Sequence, residues 1–535
     1  MICENEKNKN LWRRIDNAYG GEIRMGEKFD FNGLFIYDMA NNHQGSVEHG
    51  LRIIREVAKV SNEEKVRGAL KFQFRNLDTF IHPDYKKSQK PKHIPRFLST
   101  CLSAEDFKVL TEEVRKHNLT TITTPFDEDS VELINKLDIE IIKVGSCSAM
   151  DWPLLEKIAE AKKPVICSTA GLSTSNIDKI VDFFERRNIN FALMHCMALY
   201  PTPNDKLQLN QIEMLCKRYP SVPIGYSTHE DPDYLDAVKI AYAKGAKLFE
   251  RHVGVETDKI KLNAYSSTPK QLQAWIHSYN DAVEACGAEE RPPVSHDEDA
   301  SLRSLKRCIF AAKDIKKDDV IKRSDVFFAM PLLEGMLESG SWKDELIADK
   351  DYKKKEALSE KLILQKPESK IDLIGRIALQ TKGMLNEARI TVDKESNVEL
   401  SHHYGLRRFR EFGAILIDCI NRDYCKKLII QLPRQKHPYH YHKRKEETFQ
   451  VLFGDLEVIK EGDRTKLYPG DKFTVNRGEW HKFHTLHGVI FEEVSTTHYD
   501  DDSFYDDRMI RLMDRNQRKT KLINLGKNTF SYKEK

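Results

Sequence analysis

The sequence feature that most limits the fold is a regular alternation of short apolar runs with helix-like stretches between residues 35 and 252. The eight runs are residues 34–37, 69–74, 120–123, 139–144, 164–167, 191–196, 223–226 and 247–251. Eight buried strands that alternate with helices are what a (β/α)8 barrel requires. The alternation therefore predicts an α/β protein built on a TIM barrel.

Amphipathic stretches separate several of these runs. Residues 46–60 and 104–117 carry apolar side chains three and four positions apart, which is typical of helices with one buried face. We expect residues 269–286 to form the closing helix. We place the barrel domain at residues 31–287, and the charged, proline-containing segment that follows, residues 287–300, is predicted to be a linker.

Composition sets further limits on the protein class. A chain of 535 residues is expected to contain two to four domains, and its net charge of +3 gives no indication of nucleic-acid binding. No run approaches the roughly 20 apolar residues that span a bilayer. The ten cysteines form no CxxC pair, and residues 1–14 are polar rather than signal-like. We therefore expect a cytoplasmic protein that binds neither nucleic acid nor membrane.

Polar residues stand at the ends of the apolar runs. In a TIM barrel the reactive groups collect at the carboxyl ends of the strands, so these residues predict an active site at that rim. The candidates are Asp38, Lys71, Gln73, Thr124, Lys143, Ser146, Ser168, Thr169, His195, His229 and His252.

Two histidines indicate a metal site. His229 follows the seventh run and His252 ends the eighth, so both imidazoles come within reach of one ion. Neutral imidazole binds Zn, Mn and Fe well. The alternative is a pair of hydrogen-bonded rim histidines without a metal.

Two lysines, Lys71 and Lys143, lie inside apolar strands, where an unpaired charge is costly. Each could be a Schiff-base amine, a clamp for an anion, or one half of a salt bridge to a barrel carboxylate. The neighbouring hydroxyls favour an anion cradle over an aldolase. They are Thr124, Ser146, Ser168 and Ser227.

Two further residues allow two interpretations each. Asp38 ends the first run, and it is either an acid or base group or a cap for the turn before residues 42–45. His195 follows a strongly apolar run and fits the site or the core equally well.

The motifs around these candidates follow one another in a specific order. They read YDMANNHQG (37–45), LKFQF (70–74), TTPF (123–126), IIKVGS (141–146), PVICST (164–169), HCMALYPTP (195–203), IGYSTHE (224–230) and FERHVG (249–254). This set resembles the sialic acid (N-acetylneuraminate) synthase family. The resemblance implies a transferase that condenses phosphoenolpyruvate with an N-acetylmannosamine-like aldose. The products are phosphate and a nonulosonic, sialic-acid-like 2-keto-3-deoxy sugar acid for surface glycans.

The resemblance also implies roles for single residues. His229 and His252 match the ligands of a divalent metal, usually Mn. The positions that hold phosphoenolpyruvate are matched by Lys71, Thr124, Lys143, Ser146, Ser168 and Ser227. Gln73 and Tyr200 match sugar-contacting positions, and Asp38 stands where the family usually has a Glu near the metal and its water. Asp38, Lys71 and Lys143 are thus the expected catalytic residues.

This chain departs from the family pattern on the sugar side. Ser148 stands where we expect a carboxylate, and Ala198 where we expect an Asn. Residues 262–267 read LNAYSS in place of a Gly-Pro-Asp-type segment. The donor half of the site matches the family, and the acceptor sugar therefore stays open.

A second domain is predicted at residues 300–365. The stretch KRCIFAAKDIKKDDVI (306–321) resembles the SAF (antifreeze-like, β-clip-like) domain that follows the barrel in this family. The resemblance implies that Arg307 contacts a sugar and that the chain forms a homodimer with exchanged SAF domains. The alternative for Arg307 is a surface arginine.

A third domain, all-β, is predicted at residues 375–500, where short strands alternate with glycine turns. His440, His442, Glu447 and Gly454 fit the first cupin motif. PGDKFTVNRGEWH (469–481) fits the second, with Asn476 in place of the usual Pro.

The cupin motifs predict a second metal site. Side chains two positions apart share a strand face, so His440 and His442 point the same way. With Glu447 and His481 they form a set of three histidines and one carboxylate that suits a divalent metal. His437 is an additional imidazole nearby.

Two other functions stay open. The KRKEE stretch (443–447) resembles cupin sugar isomerases of the D-lyxose isomerase type, so the chain could be a metal-dependent isomerase or epimerase with an inactive barrel. It could also be a non-catalytic sugar-binding protein. The lysines and rim hydroxyls argue against that last function, because a sugar binder needs no phosphate cradle.

Overall fold

A computed structural model describes residues 28–87, 93–227, 229–289, 291–343, 346–362, 369–393, 396–523 and 531–533. The chain divides into two compact units, Met1–Pro293 and Val294–Lys535. The polar residues 1–14 lie outside the described residues. Among the described helices, none has the length and apolar character of a membrane span.

The first unit contains a closed barrel of eight parallel strands that pair in chain order. The strands are β1 (Leu34–Asp38), β2 (Arg67–Phe74), β3 (Thr120–Pro125), β4 (Ile141–Val144), β5 (Val165–Ser168), β6 (Phe191–His195), β7 (Ile224–Ser227) and β8 (Leu248–His252). The predicted TIM barrel is confirmed, and each strand overlaps one of the eight predicted runs.

Helices alternate with the strands along this unit. They are α1 (Val47–Glu63), α2 (Leu77–Phe80), α3 (Ile94–Ser99), α4 (Ala104–Lys116), α5 (Glu128–Lys136), α6 (Trp152–Glu160), α7 (Thr174–Arg186), α8 (Asn210–Arg218), α9 (Asp236–Ala243) and α10 (Pro269–Cys286). The closing helix α10 begins where the sequence predicts it. Thr268 caps it in a capping box with Gln271, and Pro269 takes the first helical position.

The barrel interior has an apolar layer beneath a polar one. The apolar layer consists of Phe31, Leu34, Ile36, Ala69, Ile122, Ile141, Ile166, Ala192, Met194 and Leu248. Side chains two positions apart share a face of a strand, so the next inward position on six strands is polar. Those residues are Asp38, Lys71, Thr124, Lys143, Ser168 and Glu250, and all six are buried. The fold therefore gathers the rim candidates above a dry core.

The second unit begins with α11 (His296–Leu305). The linker predicted at 287–300 is therefore wrong at its C-terminal end, because Ser295 caps this helix and accepts the Glu298 N–H. The acidic residues in the first turn resemble linker composition in the sequence. In the structure they stabilise the helix, because their negative charges lie at the positive end of the helix dipole.

Short antiparallel pairs follow α11. The strands are β9 (Cys308–Ala311), β10 (Val320–Ile321), β11 (Val326–Ala329) and β12 (Leu346–Ile347). β9 pairs with β11 and β10 pairs with β12, around a small apolar core that includes Ile309, Ile321 and Leu358. These strands form a small unit in which short antiparallel pairs are joined by turns.

The rest of the unit consists of α12 (Lys370–Glu387) and two antiparallel sheets. Its elements are β13 (Val398–Ser401), β14 (Ala414–Asn421), β15 (Tyr424–Gln431), β16 (His440–Tyr441), β17 (Glu447–Gly454), β18 (Leu456–Lys460), β19 (Asp463–Leu467), β20 (Lys472–Val475), β21 (His481–His484), β22 (Val489–Thr496), β23 (Phe504–Tyr505), α13 (Arg508–Leu512), β24 (Lys519–Ile523) and β25 (Ser531–Lys533). The sheet orders are β20-β17-β22-β15-β14-β13-β24-β25 and β19-β18-β21-β16-β23. The all-antiparallel C-terminal region is as predicted.

The charged composition of residues 501–535 predicts a peripheral tail, and this prediction is wrong, because residues 501–523 are part of the fold. β24 pairs with β13, with Val398 opposite Leu522. Asp502 is buried, and its carboxylate accepts the backbone N–H of Lys443 and Lys445. The charged side chains of the tail gave no indication that its backbone pairs with the larger sheet.

Candidate active sites in the barrel and the cupin

The polar layer of the barrel is organised by Glu250, which the sequence analysis did not single out. Lys71 Nζ lies 2.6 Å from Glu250 Oε1 and 2.8 Å from Asp38 Oδ2. Lys143 Nζ lies 3.4 Å from Glu250 Oε2. The sequence did carry a signal for Glu250, since it precedes His252 by two positions on β8 and therefore shares its face.

The charges of this layer stabilise one another against burial. Burial lowers the pKa of Lys71, but Asp38 and Glu250 together raise it above its usual value. Burial raises the pKa of Glu250, but Lys143 and Lys71 bring it below its usual range. Lys71 is therefore an ammonium at neutral pH, which disfavours the Schiff-base alternative and leaves the salt bridge and the anion clamp.

Hydroxyl groups surround the two lysines. Lys143 Nζ donates to Ser168 Oγ at 2.5 Å. Ser146 Oγ accepts a backbone N–H at 3.1 Å, and Ser227 is buried at the end of β7. Thr124 Oγ1 is buried without a hydrogen-bond partner in the described part of the chain. The structure thus places the expected cradle residues around one end of the barrel.

The two rim histidines lie together, with ring centres 5.0 Å apart. His252 Nε2 is 3.2 Å from Asp38 Oδ2. His229 Nδ1 is 3.3 Å from the Met197 carbonyl oxygen, which can only accept, so Nδ1 carries the proton and Nε2 keeps its lone pair. Two imidazoles and one carboxylate are a donor set that fits a divalent transition metal.

The protonation of His229 suits this interpretation. Burial, followed by the neighbouring His252, lowers the pKa of His229 to about 3. Burial also lowers the pKa of His252. Both imidazoles are therefore neutral at physiological pH, which is the form that binds metals.

The two carboxylate oxygens of Asp38 have different surroundings. Its Oδ1 accepts the Ala40 N–H at 2.9 Å, which is the turn-capping contact. Its Oδ2 faces Lys71 and His252. The cap holds the carboxylate in place, so the second oxygen is directed into the site.

Aromatic side chains flank the histidine pair. The Tyr200 ring lies 4.2 Å from the His229 ring, and Tyr200 is 57% exposed. Tyr265, which the sequence analysis did not single out, lies 5.6 Å from His229 and 5.2 Å from His252. Tyr265 belongs to the stretch 262–267, which departs from the family pattern. The wall beside the two histidines is therefore formed in part by that segment.

Three further candidates do not belong to the buried charges or the histidine pair described above. His195 is buried with Nε2 2.7 Å from the Leu207 carbonyl oxygen, which favours its interpretation as a core histidine. Gln73 Oε1 accepts from Arg75 at 3.1 Å. Arg307 is exposed in the second unit, so its surface-arginine and sugar-contact interpretations both stay open.

The cupin region contains a cluster of four buried side chains suited to a metal. One ligand atom from each of His440, His442, Glu447 and His481 lies within 4.8 Å of the others. His440 and His481 are directly opposite each other on β16 and β21. Glu447 begins β17, so ligands from both sheets converge at one point.

Backbone carbonyls orient the cupin imidazoles. Nδ1 of His440 lies 3.1 Å from the Pro438 carbonyl oxygen, and Nδ1 of His481 lies 3.2 Å from that of Glu479. His442 Nδ1 donates to the carbonyl oxygen of Asp502. Each Nδ1 therefore carries the proton, and the Nε2 lone pairs are available to an ion.

One contact within the cluster supports a cation more directly. His481 Nε2 and Glu447 Oε1 lie 2.8 Å apart, yet both are buried without an aligned hydrogen bond in the described part of the chain. Two close lone-pair atoms that do not share a hydrogen bond are expected where both are directed at an ion. The residues present therefore fit a divalent metal.

A buried ion pair beside this cluster was missed from the sequence. Lys445 Nζ contacts Glu447 Oε2 and lies 2.8 Å from Glu493 Oε1. Burial lowers the pKa of Lys445, but the two carboxylates raise it above its usual value. His437 lies beside the cluster rather than in it, with Nε2 3.2 Å from His403 Nε2.

Comparisons with known proteins find relatives of the barrel and a match for the cupin. The NeuB family profile matches residues 61–291, and the cupin domain profile matches residues 428–489. A crystal structure of spore coat polysaccharide biosynthesis protein E from Chromobacterium violaceum is 42% identical, with a TM-score of 0.58, and the match covers 61% of this chain and 98% of that one.

Curated relatives include synthases of sialic-acid-like sugars. The N,N'-diacetyllegionaminic acid synthase of Campylobacter jejuni is 25% identical, over 61% of this chain and 99% of its own length. The pseudaminic acid synthase of the same species is 26% identical, over 56% and 87%. The chain belongs to the NeuB family of sialic acid synthases and carries an additional cupin domain, as the sequence predicts.

Proposed function

We propose that this chain is a nonulosonic acid synthase. It condenses phosphoenolpyruvate with an aldose and releases phosphate and a 2-keto-3-deoxy sugar acid for surface glycans. The observation that carries the proposal is the buried layer of Asp38, Lys71, Lys143 and Glu250 next to the paired rim histidines. A chain of the NeuB family with this layer retains the charged groups that the condensation needs.

In the proposed reaction the lysines receive the donor. Lys71 and Lys143 lie on one side of the site with the hydroxyls of Ser168 and Thr124, and together they offer donors to phosphate and carboxylate oxygens. Because Glu250 and Asp38 keep Lys71 protonated, binding of the anionic donor requires no proton from solvent.

The bond changes are assigned as follows. C3 of phosphoenolpyruvate forms a bond with the aldehyde carbon of the open-chain sugar, water adds at C2, and the C2–O bond to phosphate breaks. Asp38 is the carboxylate next to the histidine pair, and we assign it the proton of the attacking water. His229 and His252 would hold a divalent ion, which would supply Lewis-acid polarisation of the aldehyde oxygen when bound.

The aromatic side chains are assigned to the acceptor. Tyr200 and Tyr265 have ring centres 5.5 Å apart and flank the histidines, where the aldehyde end of the sugar has to bind. Gln73 completes the expected sugar contacts. Because the 262–267 segment differs from the family pattern, we leave the acceptor open among N-acetylmannosamine, mannose and diacetamido-trideoxy hexoses.

Further parts of the proposal follow from the family resemblance. We assign manganese to the barrel, a cytoplasmic location to the protein, and a homodimer with exchanged SAF domains to its assembly. The functional parts are residues 31–287, 300–365 and the cupin predicted at 375–500, which strand β24 extends to residue 523, with Arg307 as the sugar contact from the second of them.

Phosphate release tests the proposal. The full chain is incubated with phosphoenolpyruvate, Mn²⁺ and a panel of the aldoses named above. We expect sugar-dependent release that His229→Ala abolishes, while His277→Ala leaves it unchanged because His277 lies on the exposed face of α10. Phosphate release that does not depend on the sugar, or that persists in His229→Ala, would contradict the proposed synthase activity.

The cupin cluster supports a second candidate function, a metal-dependent sugar isomerase or epimerase with an inactive barrel. Its supporting observation is the buried four-ligand set with the adjacent pair of Lys445 and Glu493. Aldose–ketose interconversion lost in a His440→Ala/His442→Ala variant and retained in a His229→Ala/His252→Ala variant would favour it. Sugar binding without phosphate release under any divalent metal would instead favour the non-catalytic protein.

A further inference from the structure

A cavity inside the cupin reaches the metal-ligand cluster. Its lining includes His440, His442 and Glu447 on one side. Charged side chains supply much of the remaining wall, and several of them come from the tail that follows residue 500. The metal centre therefore faces an internal space whose chemistry the cupin motifs do not specify.

The charges of the wall do not cancel. The cationic side chains that line the cavity are Lys427, Lys445, Arg515, Arg518 and Lys519. The carboxylates are Glu399, Glu447, Glu493 and Asp500. The lining thus holds five cations against four anions, although Lys427 also pairs at 3.1 Å with Asp418, which lies outside the lining. A divalent ion on the cluster would add two further positive charges. A cavity with this excess favours an anionic ligand.

The distribution of ion pairs concentrates the excess in one place. Lys445 is paired with Glu447 and Glu493, and Lys519 is paired with Glu399. Arg518 has no carboxylate partner among the described residues, and its guanidinium carbon lies 5.2 Å from the centre of the Tyr505 ring. The uncompensated charge is thus at Arg518.

Unsatisfied donors mark the same part of the wall. Arg518 Nε and Arg515 Nη1 are buried without a hydrogen-bond partner in the described part of the chain. Arg515 does pair with Asp500 at 2.5 Å, but Asp500 is 86% exposed on its side chain, so solvent weakens that pair. A buried donor without an acceptor is costly, so two guanidinium donors on one wall indicate an oxygen-rich ligand.

Two other residues of the wall, His498 and Lys519, have pKa values below their usual values. Burial, followed by Lys427, Lys445 and Lys519, lowers the pKa of His498 to about 2. Burial also holds the pKa of Lys519 below its usual value in spite of Glu399. Protonation of these groups is disfavoured in a region that already carries excess positive charge.

We propose that the metal-loaded cupin binds a small oxyanionic ligand, with its carboxylate or phosphate on Arg515 and Arg518 and a second oxygen toward the metal cluster. Both a 2-keto sugar acid and a sugar phosphate have this chemistry. The inference rests on the cupin metal centre proposed above, and it does not depend on the condensation in the barrel.

The test uses the full chain with His229→Ala and His252→Ala, so that bound metal reports on the cupin. The protein is loaded with Co²⁺, and its visible absorption is followed during titration with pyruvate, inorganic phosphate or glycerol. We expect one Co²⁺ per chain, a spectral change with at least one of the two anions, and none with neutral glycerol. Tighter binding of pyruvate would point to a keto acid, and tighter binding of phosphate to a phosphate ester.

Variants of the wall complete the test. Arg518→Gln is expected to weaken anion binding at least tenfold with Co²⁺ retained, and Arg518→Lys to keep most of it because the charge remains. Arg477→Gln, at an exposed position outside the cavity, is the matched control. Failure to bind Co²⁺ overturns the metal centre and the inference with it. If Co²⁺ binds, three results would overturn the anion site alone. They are equal affinity for glycerol and the anions, no spectral change with either anion, and unchanged anion binding in Arg518→Gln.

Discussion

Glu250 is the residue on which the charges of the barrel site depend. It contacts two lysines from two other strands, and each lysine would otherwise be a buried cation with fewer partners. Removing one partner of a buried ion pair costs more than the pair contributes, because the remaining charge cannot be solvated. A single carboxylate therefore links the stability of the barrel to its chemistry.

Replacing Glu250 with Gln is expected to lower stability by about 3 kcal/mol, the usual cost of breaking a buried pair. We also expect phosphate release to fall at least 100-fold, since Lys71 and Lys143 lose the group that positions them. Chemical denaturation and the release assay measure the two effects. Glu289→Gln, at an exposed position after α10, should change neither. Wild-type activity in Glu250→Gln would remove Glu250 from the mechanism.

His43 gives the barrel a pH dependence outside the site. Burial, followed by Arg96 and His49, lowers the pKa of His43 to about 4, below its ordinary value near 6.5. The unfolded chain thus binds more protons than the folded one between these values, so stability falls as pH drops through this window.

The contribution of His43 to the free energy of unfolding is expected to be about 2 kcal/mol smaller at pH 5 than at pH 7. His43→Asn should reduce this dependence, since an Asn side chain can still accept the Gly45 N–H that His43 Nδ1 now accepts at 3.1 Å. Urea midpoints measured from pH 5 to pH 7 provide the comparison. Equal slopes in the two proteins would show that His43 does not titrate as expected.

At the scale of elements, strand β24 decides where the cupin ends. It adjoins β13 in the larger sheet, and Leu522 is buried there while Lys521 is exposed. The same segment brings Arg515, Arg518 and Lys519 to the cavity. The tail therefore contributes both to the sheet and to the proposed ligand site.

Leu522→Asp is expected to destabilise the cupin by about 3 kcal/mol, because it places a charge in an apolar core. Lys521→Asp in the same strand is the matched control and should have an effect within about 0.5 kcal/mol. Calorimetry of the full chain, which follows the cupin transition separately from that of the barrel, distinguishes the two. A tail that only covers the surface would respond equally weakly to both changes.

At the scale of the whole molecule, the chain contains two compact units. The second holds the four-residue cluster suited to a metal, and the first holds the His229 and His252 pair for which we propose one. A ligand that binds only the folded state stabilises it by about 2.7 kcal/mol at 100 times its dissociation constant. Metal should therefore stabilise each unit through its own histidines.

Calorimetry with and without Mn²⁺ is expected to show two metal-dependent transitions. His229→Ala/His252→Ala should abolish the metal effect on the barrel transition alone, and His440→Ala/His442→Ala the effect on the cupin transition alone. Chelation of wild-type protein should lower both. Loss of both effects in either double variant would mean that the two centres are not independent.

The sequence by itself determined the barrel, the rim position of its polar residues and the cupin motifs whose histidines and Glu447 lie together in the structure. These follow from local patterns, since period-two alternation assigns faces to Lys71 and His252, and the spacing of His440 and His442 assigns them to one strand face. The helix α11 was missed because its acidic first turn has the composition of a linker.

Only the tertiary structure decided which charged side chains contact one another. Glu250 receives Lys71 from β2 and Lys143 from β4, and Arg518 reaches the cupin cavity from a tail that reads as solvent-exposed. Such contacts join residues far apart in the chain, and their energies depend on burial and distance rather than on neighbouring residues. Local periodicity predicts where a side chain points, whereas its partner across the fold is set by packing.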